Sequence, residues 1–300
     1  MKILNFGSLN IDYVYRVPRM VCPKETLACD GMEQFLGGKG FNQSVALARA
    51  GAPVFHAGLI GEDGGVFLDA CREYGIDAGH IRRIPGRSGH TIIQVDPAGE
   101  NCILLYGGAN RALDEAYIEQ VLADFSAGDI LLLQNEVNCL DVLIRAAHRR
   151  GMRILLNPSP CNEALDACDL RLVDCLLVNE VEGEQLSGES DPARIPDAIL
   201  RRYPGMSVLL TLGSRGAVFA RQGQRVYQPA IRAGDTVDTT AAGDTFTGYF
   251  AAGLLEGLPV EQNLRRSAAA AGIAVTRKGA SPSIPGLAQT EALLASLETV

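Results

Sequence analysis

The feature that most constrains the fold is an alternation of short, wholly apolar segments with helical patterns after about residue 113. Apolar residues fill 130–133, 154–156, 175–178 and 208–210, while 140–150, 181–187 and 193–203 have the pattern of helices. Strands that are apolar at every position are buried on both faces, as in a parallel sheet between two layers of helices. The alternation therefore predicts an α/β fold, with a doubly wound, mostly parallel sheet. Two further helices, over 241–256 and 260–278, are expected to complete it.

The N-terminal third is richer in short strands separated by turn residues. Segments 13–17, 33–36, 91–95 and 102–106 have strand character, and Asp96-Pro97-Ala98-Gly99 provides a turn between the last two. We interpret them as a small β-sheet lid, contributed by about residues 12–36 and 90–106. Residues 1–300 are otherwise expected to form a single domain.

Composition and charge exclude several classes of function. The chain has 300 residues, 47% of them hydrophobic and 21% charged, which is enough apolar material for a large core. A formal net charge of −8 disfavours nucleic acid and anionic membranes as partners, because both attract basic surfaces. No apolar run reaches bilayer length, and residues 1–6 lead directly into a polar turn. We therefore expect a cytoplasmic protein without a membrane partner.

The eight cysteines and four histidines show no spacing typical of a metal site. No Cys-x-x-Cys pair occurs, and the histidines are scattered along the chain. We expect reduced, buried thiols and no zinc centre.

One glycine-rich segment, Gly37-Gly38-Lys39-Gly40-Phe41-Asn42, begins a predicted helix. Glycines let a ligand approach the backbone closely, and a helix N-terminus favours anionic or hydroxyl-rich groups. Lys39 and Asn42 add donors on the same side. The spacing is not that of a Walker A loop, and taken alone such a turn is more often a helix start than a binding site.

A second segment, Asp238-Thr239-Thr240-Ala241-Ala242-Gly243-Asp244-Thr245-Phe246, begins a helix through small residues. The N–H groups near Ala242, Gly243 and Asp244 are expected to point outward unpaired, forming an anion hole suited to phosphate. Asp244 considered in isolation is more typical of a helix N-cap.

The two segments together resemble the paired signatures of the ribokinase family, the phosphofructokinase-B type carbohydrate kinases. The resemblance runs from Gly7-Ser8-Leu9-Asn10-Ile11-Asp12 to the stretch 275–283, and so covers almost the whole chain. It implies a ribokinase-like fold and ATP-dependent phosphorylation of a small sugar. In that family Asp244 would be the catalytic base, and Gly243 and Ala242 would form the anion hole.

The resemblance also assigns binding residues. The sugar side would comprise Asn10, Asp12, Gly38, Lys39, Gly40, Asn42, Glu136 and Asp244. The nucleotide side would comprise Asn179, Glu182, Thr211, Gly213, Ser214, Gly216 and Gly243. Without the family, Glu136 would be a surface carboxylate after a buried strand, Asn179 and Glu182 a polar helix start, and residues 211–216 a hairpin turn.

Three cofactors and an assembly follow from the same resemblance. They are ATP, Mg²⁺ near Glu182, and an activating monovalent cation, K⁺. The proposed K⁺ ligands are Asp238, Thr240, Ala274, Arg277, Gly279 and Ser283. A homodimer formed through the lid sheet is also implied.

The acceptor is the least constrained part of the function. The sugar-side residues favour D-ribose, whereas polar His90 and Thr91 and bulky Leu104-Leu105-Tyr106 in the lid leave fructose, deoxyribose or a nucleoside open. A non-catalytic sugar-binding regulator is a rival, and ATP turnover would exclude it. A nucleotide-dependent oxidoreductase is a second rival, although no Gly-x-Gly-x-x-Gly follows a strand.

Overall fold

A computed structural model describes residues 1–298 as two β-sheets with helices packed on the larger one. The strands are β1 (Ile3–Phe6), β2 (Asn10–Arg16), β3 (Gly31–Gly37), β4 (Val54–Ile60), β5 (Asp77–Arg83), β6 (Gly89–Val95), β7 (Asn101–Tyr106), β8 (Ile130–Gln134), β9 (Arg153–Asn157), β10 (Cys175–Asn179), β11 (Ser207–Thr211), β12 (Ala217–Arg221) and β13 (Gln224–Gln228). The helices are α1 (Lys39–Arg49), α2 (Gly65–Tyr74), α3 (Glu115–Leu122), α4 (Leu140–Arg149), α5 (Glu180–Ser187), α6 (Ile195–Arg202), α7 (Ala242–Glu256), α8 (Val260–Ala274) and α9 (Leu287–Glu298).

The large sheet has the strand order β13-β12-β11-β10-β9-β8-β1-β4-β5. All neighbours from β11 to β5 are parallel, and β12 and β13 add an antiparallel edge. Because the carboxyl ends of parallel strands lie at one edge, the residues that follow β1, β8, β10 and β11 are brought together there. The predicted α/β class with a mostly parallel sheet is confirmed.

Two apolar cores lie on opposite faces of the large sheet. In β8, Ile130 and Leu132 belong to a core shared with α1, α7 and α8, whereas Leu131 and Leu133 belong to a core shared with α3 and α4. All four side chains are fully buried. Alternate residues of a strand point to opposite faces, so a strand covered on both sides must be apolar throughout. This is the physical origin of the apolar runs in the sequence.

The second sheet is formed by the strands predicted for the lid, a name kept here for this sheet, and has the strand order β3-β2-β6-β7. Strands β2 and β6 are parallel and place Asp12 beside Thr91. Strand β7 is exposed along its whole length. The separate small sheet was predicted correctly. Strands β3, β6 and β7 begin one or two residues earlier than predicted, whereas β2 begins three residues earlier and ends one residue earlier.

Two expectations about local structure were wrong. Helix α8 ends at Ala274 rather than at 278, because the Val275 carbonyl accepts hydrogen bonds from the Val237 and Asp238 N–H groups at 2.8 and 3.2 Å. The chain leaves the helix there to hold the segment that precedes α7. Of the eight cysteines, all expected to be buried, only Cys71 and Cys175 are; Cys139, Cys161 and Cys168 are half-buried, and Cys22, Cys29 and Cys102 are exposed.

Within residues 1–298, no helix combines the length and the apolar character needed to cross a bilayer.

Candidate active site

The glycine-rich segment joins the lid to the large sheet at the start of α1. Gly38 has a φ of 89°, a left-handed conformation that favours glycine, and a Cβ on Gly40 would lie 2.7 Å from the Gly7 Cα atom. The Lys39 N–H donates to the Glu136 carboxylate at 2.9 Å. The Ser8 hydroxyl donates to the same carboxylate oxygen. Glu136 is therefore an integral part of this junction and not a free surface carboxylate.

Burial and charge make the side chains of this junction electrostatically coupled. Burial raises the pKa of Glu136, although the Lys39 charge acts in the opposite direction. Burial alone would lower the pKa of Lys39, but the carboxylates of Asp244, Glu136 and Glu182 outweigh it and raise that pKa. Lys39 therefore remains a cation at neutral pH. The family resemblance assigns the three carboxylates near it to catalysis (Asp244), sugar binding (Glu136) and nucleotide and Mg²⁺ binding (Glu182).

Asp12 extends this polar surface onto the lid. Its carboxylate accepts a hydrogen bond from the Thr91 hydroxyl at 2.5 Å. Burial raises the pKa of Asp12 to about 6, and the Glu136 charge adds to the effect. Asn10, two residues earlier on β2, lies on the same face, and its side-chain oxygen accepts from the Asn110 amide at 2.7 Å.

Asp244 is not the N-cap of α7. The cap position is Ala241, which has a left-handed φ of 59° and no side-chain capping bond. The Asp244 carboxylate is 9% exposed and accepts from the Asn42 amide at 3.0 Å and the Gln43 amide at 2.9 Å. The capping interpretation of Asp244 is therefore excluded, and its carboxylate is fixed by two consecutive residues of α1.

The anion hole at the start of α7 is smaller than predicted. The Ala242 N–H donates to the Thr239 carbonyl at 3.2 Å, because the chain makes a tight turn before the helix. The Gly243 and Asp244 N–H groups have no hydrogen-bond partner within residues 1–298. Two free amides rather than three thus point from the positive end of α7.

Two connected cavities lie around this helix start. One of about 230 Å³ is lined by Lys39, Asn157, Glu182, Asp244 and neighbouring residues. The other, of about 650 Å³, is the size of a small-molecule site. Its lining includes the predicted nucleotide residues Asn179, Thr211, Gly213, Ser214, Gly216 and Gly243, together with Ala242 of the predicted anion hole. Both cavities reach Gly243, so they meet at the free amides.

Asn179 and Glu182 form a reciprocal cap at the start of α5. The Asn179 side chain accepts from the Glu182 N–H at 2.9 Å, and one Glu182 carboxylate oxygen accepts from the Asn179 N–H at 3.0 Å. The pair therefore does form a polar helix start, as expected from these residues without the family resemblance. Glu182 is buried and lines the smaller cavity, so its second carboxylate oxygen remains available to a ligand there.

Asp238 fixes the segment before α7 to the loop after α8. Its two carboxylate oxygens accept from the Thr240 N–H and the Gly279 N–H, both at 2.9 Å. Burial alone would raise the pKa of Asp238, but these hydrogen bonds hold it below its ordinary value. The contacts bring together three predicted cation ligands. The Ala274 carbonyl accepts from the Arg277 N–H, and the Ser283 hydroxyl donates to the Ala280 carbonyl.

Sequence reasoning missed four side chains of this site, namely Ser8, Gln43, Thr91 and Asn110. The sequence around Gln43 suggests the opposite of what is found, since an amphipathic helix would expose at least one of the three consecutive polar residues Asn42, Gln43 and Ser44. All three are buried. Asn110 follows a Gly-Gly-Ala turn far along the chain from Asn10, and nothing in the sequence linked the two.

Comparison with known proteins identifies the family of the chain. The family model of the pfkB carbohydrate kinases matches residues 1–287. The chain therefore belongs to the pfkB family of carbohydrate kinases, and the protein is an enzyme of the ribokinase-like type.

Within that family, the chain is similar to ribokinases and to a deoxyribokinase. The chain is 37% identical over 295 residues to a ribokinase of Haemophilus influenzae, with 95% of each chain covered. It is 31% identical over 300 residues to a deoxyribokinase of Salmonella typhi, with 96% of this chain and 97% of the relative covered. The structure of an Arabidopsis thaliana ribokinase complexed with ribose and ATP matches with a TM-score of 0.85 and 30% identity, covering 98% of each chain.

Proposed function

We propose that the protein transfers the γ-phosphate of ATP to D-ribose and forms ribose 5-phosphate. The observation that carries the proposal is the position of Asp244. Its buried carboxylate lies at the free N-terminus of α7, where the cavity beside Lys39 meets the cavity of the predicted nucleotide residues. Of the predicted sugar-side residues only Lys39 and Asp244 line the smaller cavity, and Asn42 joins the remainder of that set to Asp244 through its hydrogen bond. An acceptor hydroxyl that reaches Asp244 from the lid side would thus meet the phosphate donor at a carboxylate and two unpaired amides. Relatives named as ribokinases support the choice of ribose.

The sugar would bind between the lid and α1. Asp12 and Glu136 offer carboxylate oxygens to hydroxyl donors, and Asn10 belongs to the same polar surface. The Asn42 side-chain oxygen is buried without a partner within residues 1–298, although its amide group donates to Asp244. A buried acceptor without a donor destabilises the empty site, and a sugar hydroxyl would satisfy it. A hydroxyl-rich ligand therefore matches the unpaired groups of this surface.

Asp244 would accept the proton of the attacking hydroxyl while the γ-phosphate lies against the Gly243 and Asp244 N–H groups. Phosphoryl transfer has a loose transition state, so positioning and charge stabilisation carry most of the catalysis. Lys39 supplies a fixed positive charge near Asp244, and the positive end of α7 stabilises charge on the transferred group.

The proposed function includes two metal ions, Mg²⁺ and K⁺. Mg²⁺ neutralises phosphate charge and typically uses one or two carboxylates together with substrate phosphates. Glu182, with one carboxylate oxygen free toward the cavity, fits that use. K⁺ would be held by Asp238, the carbonyl groups of Thr240, Ala274, Arg277 and Gly279, and Ser283. A single carboxylate already bound to amides suits a weakly held monovalent ion.

Deoxyribose is the second candidate acceptor, since one of the relatives is named as a deoxyribokinase. A sugar that lacks one hydroxyl would leave one buried acceptor of the site unpaired. Such a loss costs about 1–3 kcal/mol, or roughly 5- to 150-fold in kcat/KM.

The test is a coupled ADP-release assay with ATP and Mg²⁺ over D-ribose, deoxyribose, fructose and adenosine. We expect the highest kcat/KM with D-ribose, by about tenfold or more over deoxyribose. A tenfold advantage for deoxyribose, fructose or adenosine would overturn ribose as the acceptor. Binding of ribose without any turnover would favour the regulatory protein.

The proposal includes a cytoplasmic homodimer. The eight cysteines are all unpaired, which is usual in a reducing compartment. Three consecutive residues of the lid strand β7, Ile103, Leu104 and Leu105, are between 50 and 67% exposed. Ile103 and Leu105 project from one face of the strand and Leu104 from the other, so β7 exposes apolar side chains on both faces. Exposed apolar side chains along an edge strand are typical of an interface, and a second lid would cover this edge.

A further inference from the structure

A chain of buried amides lies behind the Asp244 carboxylate. The Gln43 amide group donates to Asp244 Oδ1 at 2.9 Å, and the Gln43 oxygen accepts from the Gln134 amide at 2.6 Å. The Gln134 amide also donates to the Asn5 oxygen at 2.9 Å. Gln43, Gln134 and Asn5 are fully buried, on α1, β8 and β1 respectively. Side chains from three elements are thus linked to one carboxylate oxygen, which Gln43 contacts directly and Gln134 and Asn5 contact through Gln43.

In this series of hydrogen-bonded side chains, the groups at the two ends, the Asp244 carboxylate and the Gly40 carbonyl, determine which group donates in each hydrogen bond. An ionised carboxylate only accepts, so Gln43 must present its NH₂ group to Asp244 and its oxygen to Gln134. Gln134 must then present its NH₂ group to Gln43. At the other end, the Asn5 amide donates to the Gly40 carbonyl at 2.6 Å, and a carbonyl also only accepts.

The series of hydrogen bonds continues from Asn5 through Ser44 to His56, whose ring is neutral. The Asn5 amide also donates to the Ser44 hydroxyl at 2.8 Å, and that oxygen lies 2.7 Å from His56 Nδ1. Burial lowers the pKa of His56 to about 4, so the ring is neutral at physiological pH. Ser44 can therefore donate to Nδ1 while it accepts from Asn5. The series of hydrogen bonds therefore ends at a neutral side chain.

We infer that Gln43 is a positioning residue for the catalytic carboxylate, held in orientation by Gln134 and Asn5. Asn42 contacts the other carboxylate oxygen, but its own oxygen has no partner within residues 1–298, so its amide is not fixed from behind. Both polar groups of Gln43 are bonded: its NH₂ group donates to Asp244 and, at 3.4 Å, to the Asn157 oxygen, and its oxygen accepts from Gln134. The Gln134 oxygen has no partner within residues 1–298, so Gln134 is held through its NH₂ group alone, by Gln43 and Asn5. Gln43 sets the direction in which Asp244 faces the acceptor hydroxyl, and a misdirected base lowers the rate without weakening substrate binding. The inference rests on the proposed role of Asp244 as base.

The decisive variant is Gln43→Met, which keeps the length of the side chain and removes both polar groups. We expect kcat with saturating ribose, ATP and Mg²⁺ to fall about 10- to 100-fold, while the Kd values of ribose and ATP change less than about threefold. Gln134→Met, which frees Gln43 at its back, should lower kcat about 3- to 10-fold with the same pattern. If Gln43→Met does not fold, Gln134→Met decides.

A double-mutant cycle separates positioning from general structural damage. In an Asp244→Asn background, Gln43→Met should lower the residual rate less than about twofold, because the carboxylate it orients is gone. Gln120→Met is the matched control: Gln120 is a hydrogen-bonded but exposed glutamine on α3, and its loss should leave kcat unchanged. Multiplicative effects in the cycle, or wild-type kcat in both folded Met variants, would overturn the inference. Absence of ribose phosphorylation in the wild type would instead overturn the proposed function.

Discussion

Asp12 illustrates a compromise between stability and binding in one side chain. Burial raises its pKa from 3.8 to about 6, so the folded protein holds the proton more tightly than the unfolded chain. The protonated form is therefore favoured by folding, and this contribution is fully present below pH 3.8 and lost as the pH rises through about 6. At neutral pH the ionised carboxylate destabilises the empty protein, yet that form would be the better acceptor for the hydroxyl groups of the proposed sugar.

Replacing Asp12 with asparagine should separate the two effects. We expect Asp12→Asn to melt at the same temperature as the wild type or higher at pH 8, and to lose this advantage at pH 4. Its kcat/KM for ribose should fall by about tenfold or more, since a charged acceptor is lost. Thermal melts at the two pH values and sugar kinetics measure both. A lower melting temperature at pH 8 would contradict the buried-charge argument.

The same pKa predicts the pH dependence of sugar binding. As the pH falls below about 6, Asp12 takes up a proton and its capacity to accept hydrogen bonds decreases. We expect the KM for ribose to rise in that range in the wild type and to remain flat in Asp12→Asn. A KM for wild-type protein that is constant from pH 8 to pH 5 would be inconsistent with Asp12 as a sugar ligand.

Among single residues, the sequence identified those inside recognisable motifs and missed their supports. Asn42, Lys39 and Asp244 were predicted from two short segments, and the structure brings them together. Gln43 was not predicted, although it is adjacent to Asn42, because its role depends on Gln134, 91 positions away. Hydrogen bonds between distant residues leave no local pattern.

At the scale of elements, the start of α7 depends on a segment held from outside the helix. Asp238 binds the N–H groups of Thr240 and Gly279, and the Val275 carbonyl binds those of Val237 and Asp238. The sequence predicted the helices on both sides but overextended α8 by four residues, since helical propensity does not reveal that Val275 is needed elsewhere. The free amides of α7 are therefore positioned by the proposed cation loop.

K⁺ bound in this loop should accelerate turnover by ordering the start of α7. We expect wild-type kcat to be higher in K⁺ than in tetramethylammonium at equal ionic strength, and Asp238→Ala to show equal rates in both. The variant should remain folded, because the two lost hydrogen bonds contribute about 1 kcal/mol each. Equal wild-type rates in the two cations would refute the cation site.

At the scale of the whole molecule, the exposed apolar residues of the lid predict association. Leu104 is 67% exposed on β7 and would be buried by a second lid. We expect the wild-type protein to sediment at about twice its chain mass of 31.9 kDa and Leu104→Lys to sediment as a monomer. Leu297→Lys, at a 45% exposed position on α9, is the matched control and should remain dimeric. A monomeric wild-type protein at micromolar concentration would contradict the proposed dimer.

The kcat of Asp244→Asn with saturating ribose, ATP and Mg²⁺ is the most direct test of Asp244 as the catalytic base. An asparagine at position 244 keeps one oxygen, which can still accept from Gln43, and places an NH₂ group opposite the NH₂ group of Asn42. Asn42 can rotate its amide and accept from that NH₂ group with its unpaired oxygen. The variant should therefore fold and bind both substrates, while kcat falls by about 10²- to 10⁴-fold because the general base is gone. A folded variant that retains more than about a tenth of wild-type kcat, with chemistry rate-limiting, would show that Asp244 is not the base.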